Sequence, residues 1–368
     1  MKWSFRIVTL ADIDVQVHAT FFFLIVWIAL SYWQVYGTLS AVMHGVGIIL
    51  ALFVCVVLHE LGHALTARRF GIGTRSITLL PIGGVANIEG MPDNPRQEIL
   101  IALAGPAVSL GIALLLWAGL ALTGSLESPQ EMSVSGGSLL QQLMALNVLL
   151  AVFNLIPAFP MDGGRVLQAL LSMRAGAAKA TRMAAGIGQF IALIFALLGL
   201  LYNPFLFLIA IFIWIGAASE ARTATLKEAL SGLSAAQAML VDFDVVAPGD
   251  PLGRVVELTL SGSQKDFPVM EGGRVAGVIV QDDLVRGISE GGEDLPVARV
   301  MQPVIADVSP GDDMVRVFEL MQPNPRGLVT VSDGGKLVGV INIDNIFELL
   351  RIRSAEEGSK ARAGKLRM

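Results

Sequence analysis

The chain has 368 residues, of which 54% are hydrophobic and only 15% are charged, and its formal net charge is −5. Soluble domains carry about 25% charged residues, so this composition excludes an ordinary soluble globule. The negative balance, without a basic stripe interleaved with aromatic residues, argues against a nucleic-acid partner. The single cysteine, Cys55, excludes an intramolecular disulfide.

The apolar residues are distributed unevenly along the chain. Residues 1–18 are too polar to form the core of a signal peptide, and no small-residue cleavage site follows, so we expect mature cytoplasmic sequence there. Residues 19–218 contain nearly all the long apolar runs, whereas residues 235–350 alternate charged and apolar residues like a soluble α/β domain. A membrane part followed by an aqueous part is therefore predicted.

Six apolar segments are candidates for membrane helices, which need about 20 predominantly apolar residues each. They are residues 19–33, 44–66, 98–122, 139–156, 183–201 and 204–218. Lys and Arg precede the first segment and follow the second and fourth, and none occurs in the other three loops. By the positive-inside rule, both termini are expected to face the cytoplasm of a prokaryotic cell membrane.

The segment between the second and third candidate spans, residues 70–92, is rich in glycine and β-branched residues. It is too short and too polar to cross a bilayer. Non-helical backbone at membrane depth requires protein or water to satisfy its polar groups. We therefore predict a small membrane-associated β segment packed against the helices, with a plain cytoplasmic loop as the alternative.

The second candidate span contains the pattern HELGH at residues 59–63. His59 and His63 are four residues apart, so they share one face of a helix and can hold one ion. Neutral imidazole is a good zinc ligand, and Glu60 flanks the pair as a carboxylate that could accept a proton from an attacking water. Ionisable residues inside a span are costly and usually functional, which favours a metal site over buried side chains without one.

A catalytic zinc normally has three protein ligands, so one more is needed. Asp162 follows the helix-breaking residues Pro157 and Pro160, at the expected inner end of the fourth span. On its own, Asp162 could equally cap a helix beginning at Arg165. Because two histidines require a partner, we predict that Asp162 is the third ligand, with Cys55 as the minor alternative.

Four other polar residues lie in or beside the spans. Asn154 could stabilise the oxyanion of a tetrahedral intermediate or form an interhelical hydrogen bond. Asn147 is expected to serve helix packing. His18 could approach the metal, although an interfacial role is favoured, and His44 is expected at the interface.

These motifs together resemble the site-2 protease family. They are HELGH, LPIGG after it, AGP at 104–106 and FNLIPAFPMDGGRVL at the end of the fourth span, and they cover roughly residues 15–175. The resemblance implies a zinc metalloendopeptidase that cleaves a single-span membrane protein within the lipid bilayer. It implies that His59, His63 and Asp162 bind zinc and that Glu60 activates water. It also implies that residues 70–92 offer an edge to an unwound substrate.

An internal repeat occupies the second part of the chain. An offset of 62 residues pairs Pro248-Gly249-Asp250 with Pro310-Gly311-Asp312, and Gly277-Val278-Ile279 with Gly339-Val340-Ile341. Such self-similarity indicates two copies of one supersecondary unit. The pattern resembles a tandem pair of CBS domains, which often bind adenine nucleotides, and the pair might instead be a structural module or support a homodimer.

The nucleotide signature of that family is incomplete here. Its hydroxyl position is occupied by Val280 in the first copy and by Asn342 in the second. Its acidic position is Asp283 in the first copy and Asn345 in the second, so Asp283 is a tentative nucleotide contact.

The predicted fold is a polytopic α-helical membrane protein with six transmembrane helices and a small β segment, followed by an α/β tandem CBS module. The expected domains are residues 1–218, a connector helix at 219–234, a CBS regulatory module at 235–352 and a disordered tail at 353–368. A CBS-gated membrane transporter or channel is the alternative, and a zinc-binding scaffold without activity is a third interpretation.

Overall fold

The computed structural model of the chain describes residues 3–81, 83–88, 90, 92, 94–126, 138–322, 324 and 326–365. The chain divides into two compact units, Met1–Ala224 and Thr225–Met368.

The first unit is mainly helical, with four short strands near its beginning. Its elements are β1 (Ser4–Leu10), β2 (Ile13–His18), α1 (Thr20–Tyr36), α2 (Leu39–Arg69), β3 (Thr74–Leu80), β4 (Gly83–Ile88), α3 (Pro95–Leu122), α4 (Leu139–Asn154), α5 (Asp162–Ala175), α6 (Ala177–Leu201) and α7 (Pro204–Leu230).

Each of the six predicted spans lies largely within one helix of this unit. By length and composition, α2, α3, α6 and α7 are long and apolar enough to cross a membrane, and α1 and α4 are shorter apolar helices among the described residues. The connector helix expected at 219–234 continues the sixth apolar helix, because α7 runs unbroken from Pro204 to Leu230. The sequence SEARTATLKEAL contains no glycine or proline, so nothing interrupts the helix.

The four strands form one sheet in the order β1-β2-β3-β4. Strands β2 and β3 are parallel, and the other two pairs are antiparallel. The β segment predicted within 70–92 is confirmed as the β3–β4 hairpin. Strands β1 and β2 were not predicted, although IDVQVH alternates apolar and polar residues as a half-buried strand does.

The sheet packs against the second half of α2. Apolar side chains of β2 and β3 join those of α2 in one buried cluster, which includes Ile13, Val15, Val17, Ile77, Leu79, Val56, Val57 and Leu61. The sheet therefore covers the part of α2 that carries the HELGH motif.

A tight turn separates α4 from α5. Helix α5 begins at Asp162 rather than at Arg165. A side chain at Gly163 would overlap the carbonyl oxygens of Leu155 and Ile156, and one at Gly164 would lie 2.6 Å from the backbone of Ala158. Only glycines allow this approach, so the two glycines let the chain reverse and begin α5 close to the end of α4.

The second unit contains the two copies of the repeat. Its elements are α8 (Ala235–Ala238), α9 (Leu252–Ser261), β5 (Phe267–Glu271), β6 (Arg274–Ile279), α10 (Gln281–Gly291), a 3-10 turn (Val297–Arg299), β7 (Asp307–Val308), α11 (Met314–Met321), β8 (Val329–Asp333), β9 (Lys336–Ile341) and α12 (Ile343–Lys365).

The offset of 62 residues maps the strands of the first copy onto those of the second. Strand β5 maps onto β8, and β6 maps onto β9, with the same first and last positions. In each copy two glycines with positive φ join the strands, as a two-residue hairpin turn requires. The predicted repeat is confirmed.

The tail differs from the expectation of disorder. Helix α12 continues to Lys365, through most of the segment 353–368. Alanine, glutamate, lysine and arginine dominate that segment, and these residues favour helix.

Candidate metal centre

The two histidines of α2 and the first residue of α5 meet in the interior of the first unit. His59 and His63 are 3% and 7% exposed. Their Nε2 atoms lie 3.1 Å apart, and each lies 3.2 Å from Oδ2 of Asp162. The structure thus brings together all three predicted ligand residues. In the part of the chain that the structure describes, they form a cluster of donor atoms that could hold a metal ion.

The spacing of these atoms fits a zinc ion. Ligands about 2.0–2.1 Å from a tetrahedral zinc lie roughly 3.3 Å from one another. The three donor atoms form a nearly equilateral triangle close to that size. Two imidazoles and one carboxylate also match the donor set of hydrolytic zinc sites, which leaves a fourth position for water.

The outer nitrogens of both histidines are held by α3. His63 Nδ1 donates to the carbonyl oxygen of Ile101 at 2.7 Å, which leaves the lone pair of its Nε2 facing the cluster. His59 Nδ1 lies 2.9 Å from Oγ of Ser109, a fully buried hydroxyl. Such partners orient metal-binding imidazoles and increase their basicity. The lone pair of His63 Nε2, the Asp162 carboxylate and His59 Nε2 face one another, an arrangement suited to binding a cation.

Helix α3 approaches this cluster closely at Gly105. A side chain there would overlap His63 Nε2 and lie 2.5 Å from His59 Nε2. Gly62 of α2 allows the same approach from the other helix, because a side chain at Gly62 would lie 3.0 Å from the carbonyl oxygen of Ala104. The AGP motif at 104–106 therefore serves to keep space free beside the two nitrogens.

Glu60 lies beside the cluster and below β4. Its charge interacts with those of His63, Asp162 and Arg165. A side chain at Gly84 would lie 2.7 Å from Cγ of Glu60, so the β4 backbone passes directly over this carboxylate. The LPIGG motif thus positions a strand over Glu60.

Comparison with known proteins agrees with this geometry. The family model "Peptidase family M50" matches residues 47–135 and 125–198, and the CBS domain model matches residues 235–290 and 297–352. A zinc metalloprotease of Methanocaldococcus jannaschii is 35% identical over 370 residues, which cover 98% of this chain and 100% of that protein. This chain belongs to peptidase family M50.

Two further comparisons involve parts of this M50 peptidase. Stage IV sporulation protein FB of Bacillus subtilis is 29% identical over 136 residues, covering 37% of this chain and 44% of that protein. The solved site-2 protease from Methanocaldococcus jannaschii is 39% identical, covers 60% of this chain and 96% of that chain, and has a TM-score of 0.45. Family membership makes the chain a zinc metalloprotease with a CBS pair, and it argues against the transporter alternative.

The two asparagines of α4 form hydrogen bonds within their own helix. Asn154 ends α4, and its Nδ2 donates to the carbonyl oxygen of Leu150 at 3.0 Å. Asn147 is fully buried, and its Nδ2 donates to the carbonyl oxygen of Leu143 at 2.8 Å. Both amides bond within their own helix, so neither points its donor at the metal ligands.

Cys55, His18 and His44 are not among the three residues of the metal cluster. Cys55 is a buried free thiol. His18 ends β2 and bonds to Thr20 at the start of α1, with 2.8 Å between Nδ1 and Oγ1. His44 Nε2 lies 2.9 Å from Oε1 of Gln142, a contact between α2 and α4.

The sequence analysis did not predict the contact of Ser109 with His59, the clearance that Gly105 gives the two histidines, or a group of charged residues near Arg165. Ser109 is the one serine of the apolar helix α3, which was the available signal. Glu98 of α3 is buried, and Arg165 and Glu220 are its charged neighbours. The M50 unit thus carries a second group of charged residues, formed by Glu98 in the first turn of α3, Arg165 of α5 and Glu220 of α7.

In the second unit, Asp283 is 1% exposed. Its two carboxylate oxygens accept hydrogen bonds, one from Arg286 and one from Nε2 of Gln302 at 2.5 Å. Both oxygens therefore already have protein partners, which a ribose would have to replace.

Proposed function

We propose that this M50 peptidase is an intramembrane endopeptidase that cleaves a membrane-spanning segment of a single-span protein. The observation that carries the proposal is the triangle of His59, His63 and Asp162. Two of its corners lie in a 31-residue apolar helix that is long enough to cross a bilayer. Metal ligands of the kind found in hydrolytic zinc enzymes, placed in such a helix, are suited to hydrolysing a peptide bond inside the membrane.

The proposed membrane arrangement has six spans in a prokaryotic cell membrane, with both termini in the cytoplasm. The six apolar helices and the restriction of Lys and Arg to alternate loops support it. Helices α1 and α4, with 17 and 16 residues, would rely on flanking residues to complete their crossings.

The proposed chemistry uses the chain's own groups around the zinc position. His59, His63 and Asp162 would hold the ion, which when bound polarises a carbonyl and lowers the pKa of water. Glu60 would accept a proton from the attacking water and deliver it to the leaving amine. Asn154 would supply an oxyanion donor after its amide turns away from Leu150, a step that ordinary side-chain rotation permits.

The substrate would be held by the edge of the sheet. Strand β4 is the last strand in the order β1-β2-β3-β4, and its backbone passes over Glu60. An unwound peptide can add to such an edge through main-chain hydrogen bonds. This placement would bring the scissile bond of an extended segment to the carboxylate and the metal ligands.

The tandem CBS module would regulate this activity, either by binding an adenine nucleotide or by forming a homodimer. Helix α7 supports a regulatory connection, because it is continuous from the apolar part into the second unit. Nucleotide binding through Asp283 would require the carboxylate to leave Arg286 and Gln302.

The test combines metal content with cleavage of a single-span reporter by the full-length protein in detergent and in vesicles. We expect about one zinc per chain and cleavage within the reporter's membrane segment. Glu60→Gln should keep the zinc and lose cleavage, because an amide cannot accept the proton. His59→Ala should lose both. Cleavage confined to the reporter's soluble region, or substantial cleavage by Glu60→Gln, would contradict the proposal.

A further inference from the structure

Helix α7 packs against the turn that leads into Asp162. A side chain at Gly216 would lie 2.6 Å from Cδ of Pro160, so the backbone of α7 comes very close to this turn. Ile213, one turn earlier on α7, is fully buried in the same apolar cluster as Met161. Helix α7 therefore contacts the residues immediately before Asp162, although it contributes no donor atom to the metal cluster.

An ion pair connects the same helix to the residues after Asp162. Arg165 lies in the first turn of α5, and Glu220 lies four residues after Gly216 on α7. The Nη2 atom of Arg165 is 3.9 Å from Oε1 of Glu220. Residues four apart share one side of a helix, so Gly216 and Glu220 face this segment from successive turns. Helix α7 thus contacts the chain on both sides of Asp162.

The charge of Arg165 also acts on a buried carboxylate. Glu98, in the first turn of α3, is 9% exposed, and Arg165 and Glu220 are its charged neighbours. A partly exposed ion pair contributes little by itself, but a buried carboxylate is costly without a cation nearby. Glu98 precedes Ile101 by one turn, and the carbonyl oxygen of Ile101 accepts from His63. The three charges therefore link the first turn of α5 to the part of α3 that holds His63.

We propose that Arg165 is a positioning residue for the metal centre. Its guanidinium, shared between Glu220 and Glu98, fixes the first turn of α5 and so keeps the Asp162 carboxylate directed at the two histidines. Arg165 and Asp162 are three residues apart and lie on one side of the helix. Movement of this turn would take Oδ2 of Asp162 away from the histidine nitrogens, which lie 3.2 Å from it. This role rests on the proposed zinc ligands.

The zinc affinity of full-length variants in detergent, measured by competition with a chelator, tests this role. Arg165→Gln should lower the affinity by about 10–100-fold, the usual effect of removing a group that supports a metal ligand. Arg165→Lys keeps the positive charge and should lose less. Arg174→Gln is the matched control, because Arg174 is exposed in the last turn of the same helix. Activity alone would not suffice, since the charge of Arg165 also interacts with that of Glu60.

Reversal of the ion pair separates positioning from a general effect on stability. Arg165→Glu combined with Glu220→Arg keeps the number of charges of each sign, and it should recover part of the zinc affinity that Arg165→Glu loses alone. In the cobalt-loaded protein, the visible absorption spectrum reports ligand geometry. The spectrum should change in Arg165→Gln and return toward that of the wild type in the double variant. A role in stability alone would lower the unfolding midpoint and leave the spectrum unchanged.

Wild-type zinc affinity in Arg165→Gln would overturn the proposal. So would a double variant that folds, as judged by circular dichroism, without recovering any affinity. If the double variant does not fold, equal losses in Arg165→Lys and Arg165→Gln would overturn the proposal instead. Asp162→Ala tests the ligands separately: zinc retained there would contradict the proposed ligand set, whereas zinc lost there beside normal binding in Arg165→Gln would contradict only the role of Arg165.

Discussion

Ser109 and Ile101 orient the two histidines in different ways. Ile101 uses its backbone carbonyl, which no substitution removes, whereas Ser109 uses a side-chain hydroxyl that can be tested. Both contacts come from α3, which contributes no donor atom to the cluster of His59, His63 and Asp162. At the scale of single residues, the metal centre therefore depends on a helix that supplies none of its three donors.

Ser109→Ala should lower zinc affinity by about 10–100-fold, because His59 loses the partner that orients its ring. Competition with a chelator, followed by metal analysis, measures the change. Ser109→Thr keeps a hydroxyl and should restore much of the affinity. The control is Ser31→Ala, whose hydroxyl bonds only to the Trp27 carbonyl of its own helix. An unchanged affinity in Ser109→Ala would show that the contact does not orient His59.

Gly105→Ala should abolish zinc binding, because its methyl group would overlap His63 Nε2 and crowd His59 Nε2. Zinc content of the purified protein measures the effect. Gly111→Ala is a matched control on the same helix, since a methyl group there meets nothing within 4 Å. If Gly105→Ala bound zinc with wild-type affinity, the close approach of α3 would have to be wrong.

At the scale of elements, the third donor depends on the turn between α4 and α5. Asp162 is the first residue of α5, and Gly163 follows it in contact with the carbonyl oxygens of Leu155 and Ile156. The position of the carboxylate is therefore determined by how closely two backbone segments can approach. A side chain in that contact must move the start of α5.

Gly163→Ala should consequently reduce both zinc affinity and thermal stability, since its methyl group overlaps backbone that cannot rotate away. Chelator competition and the unfolding midpoint measure the two effects. Gly186→Ala in the interior of α6 meets nothing within 4 Å and should stabilise the helix by roughly 0.5–1 kcal/mol. If Gly163→Ala and Gly186→Ala had the same zinc affinity and unfolding midpoint, the turn between α4 and α5 would not position Asp162.

At the scale of the whole molecule, the three predicted metal ligands lie in one unit and the CBS pair in the other. Every donor of the cluster precedes Ala224, where the first unit ends. The second unit has its own buried clusters, one formed mainly by residues 246–297 and the other by residues 230–238 together with 308–346. The division indicates that the metal centre does not need the second unit in order to form.

A chain truncated after Ala224 should therefore retain about one zinc and some cleavage of the reporter, with the regulation removed. Metal content and cleavage rate, compared with the full chain, measure this outcome. Loss of zinc in the truncated protein, while it stays folded by circular dichroism, would mean that the second unit is required for the site.

Nucleotide binding belongs to the same scale. If Asp283 contacts a ribose, Asp283→Ala should weaken binding of ATP, ADP or AMP to the full chain, as measured by calorimetry. Arg286→Gln should strengthen it, because one competing partner of the carboxylate is removed. If neither substitution changed nucleotide binding, Asp283 would not be the contact. If ATP, ADP and AMP all failed to bind, the CBS pair would have a structural role instead.

The sequence by itself determined most of the helices and the repeat, and it predicted His59, His63 and Asp162 as donors. Histidines four apart in an apolar run, six apolar segments and an offset of 62 residues are local or periodic signals, and secondary structure follows such signals directly. Asp162 was predicted as the third donor because two histidines on one helix leave a zinc site incomplete, and the structure places its Oδ2 atom 3.2 Å from the Nε2 atom of each histidine.

Only the tertiary structure decided which helices and strands lie close to His59, His63 and Asp162. The parallel pairing of β2 with β3, the clearance at Gly105 and the contact of Ser109 with His59 all join residues far apart in the chain. Local pattern carries no information about such contacts, because they depend on how helices and strands pack once formed.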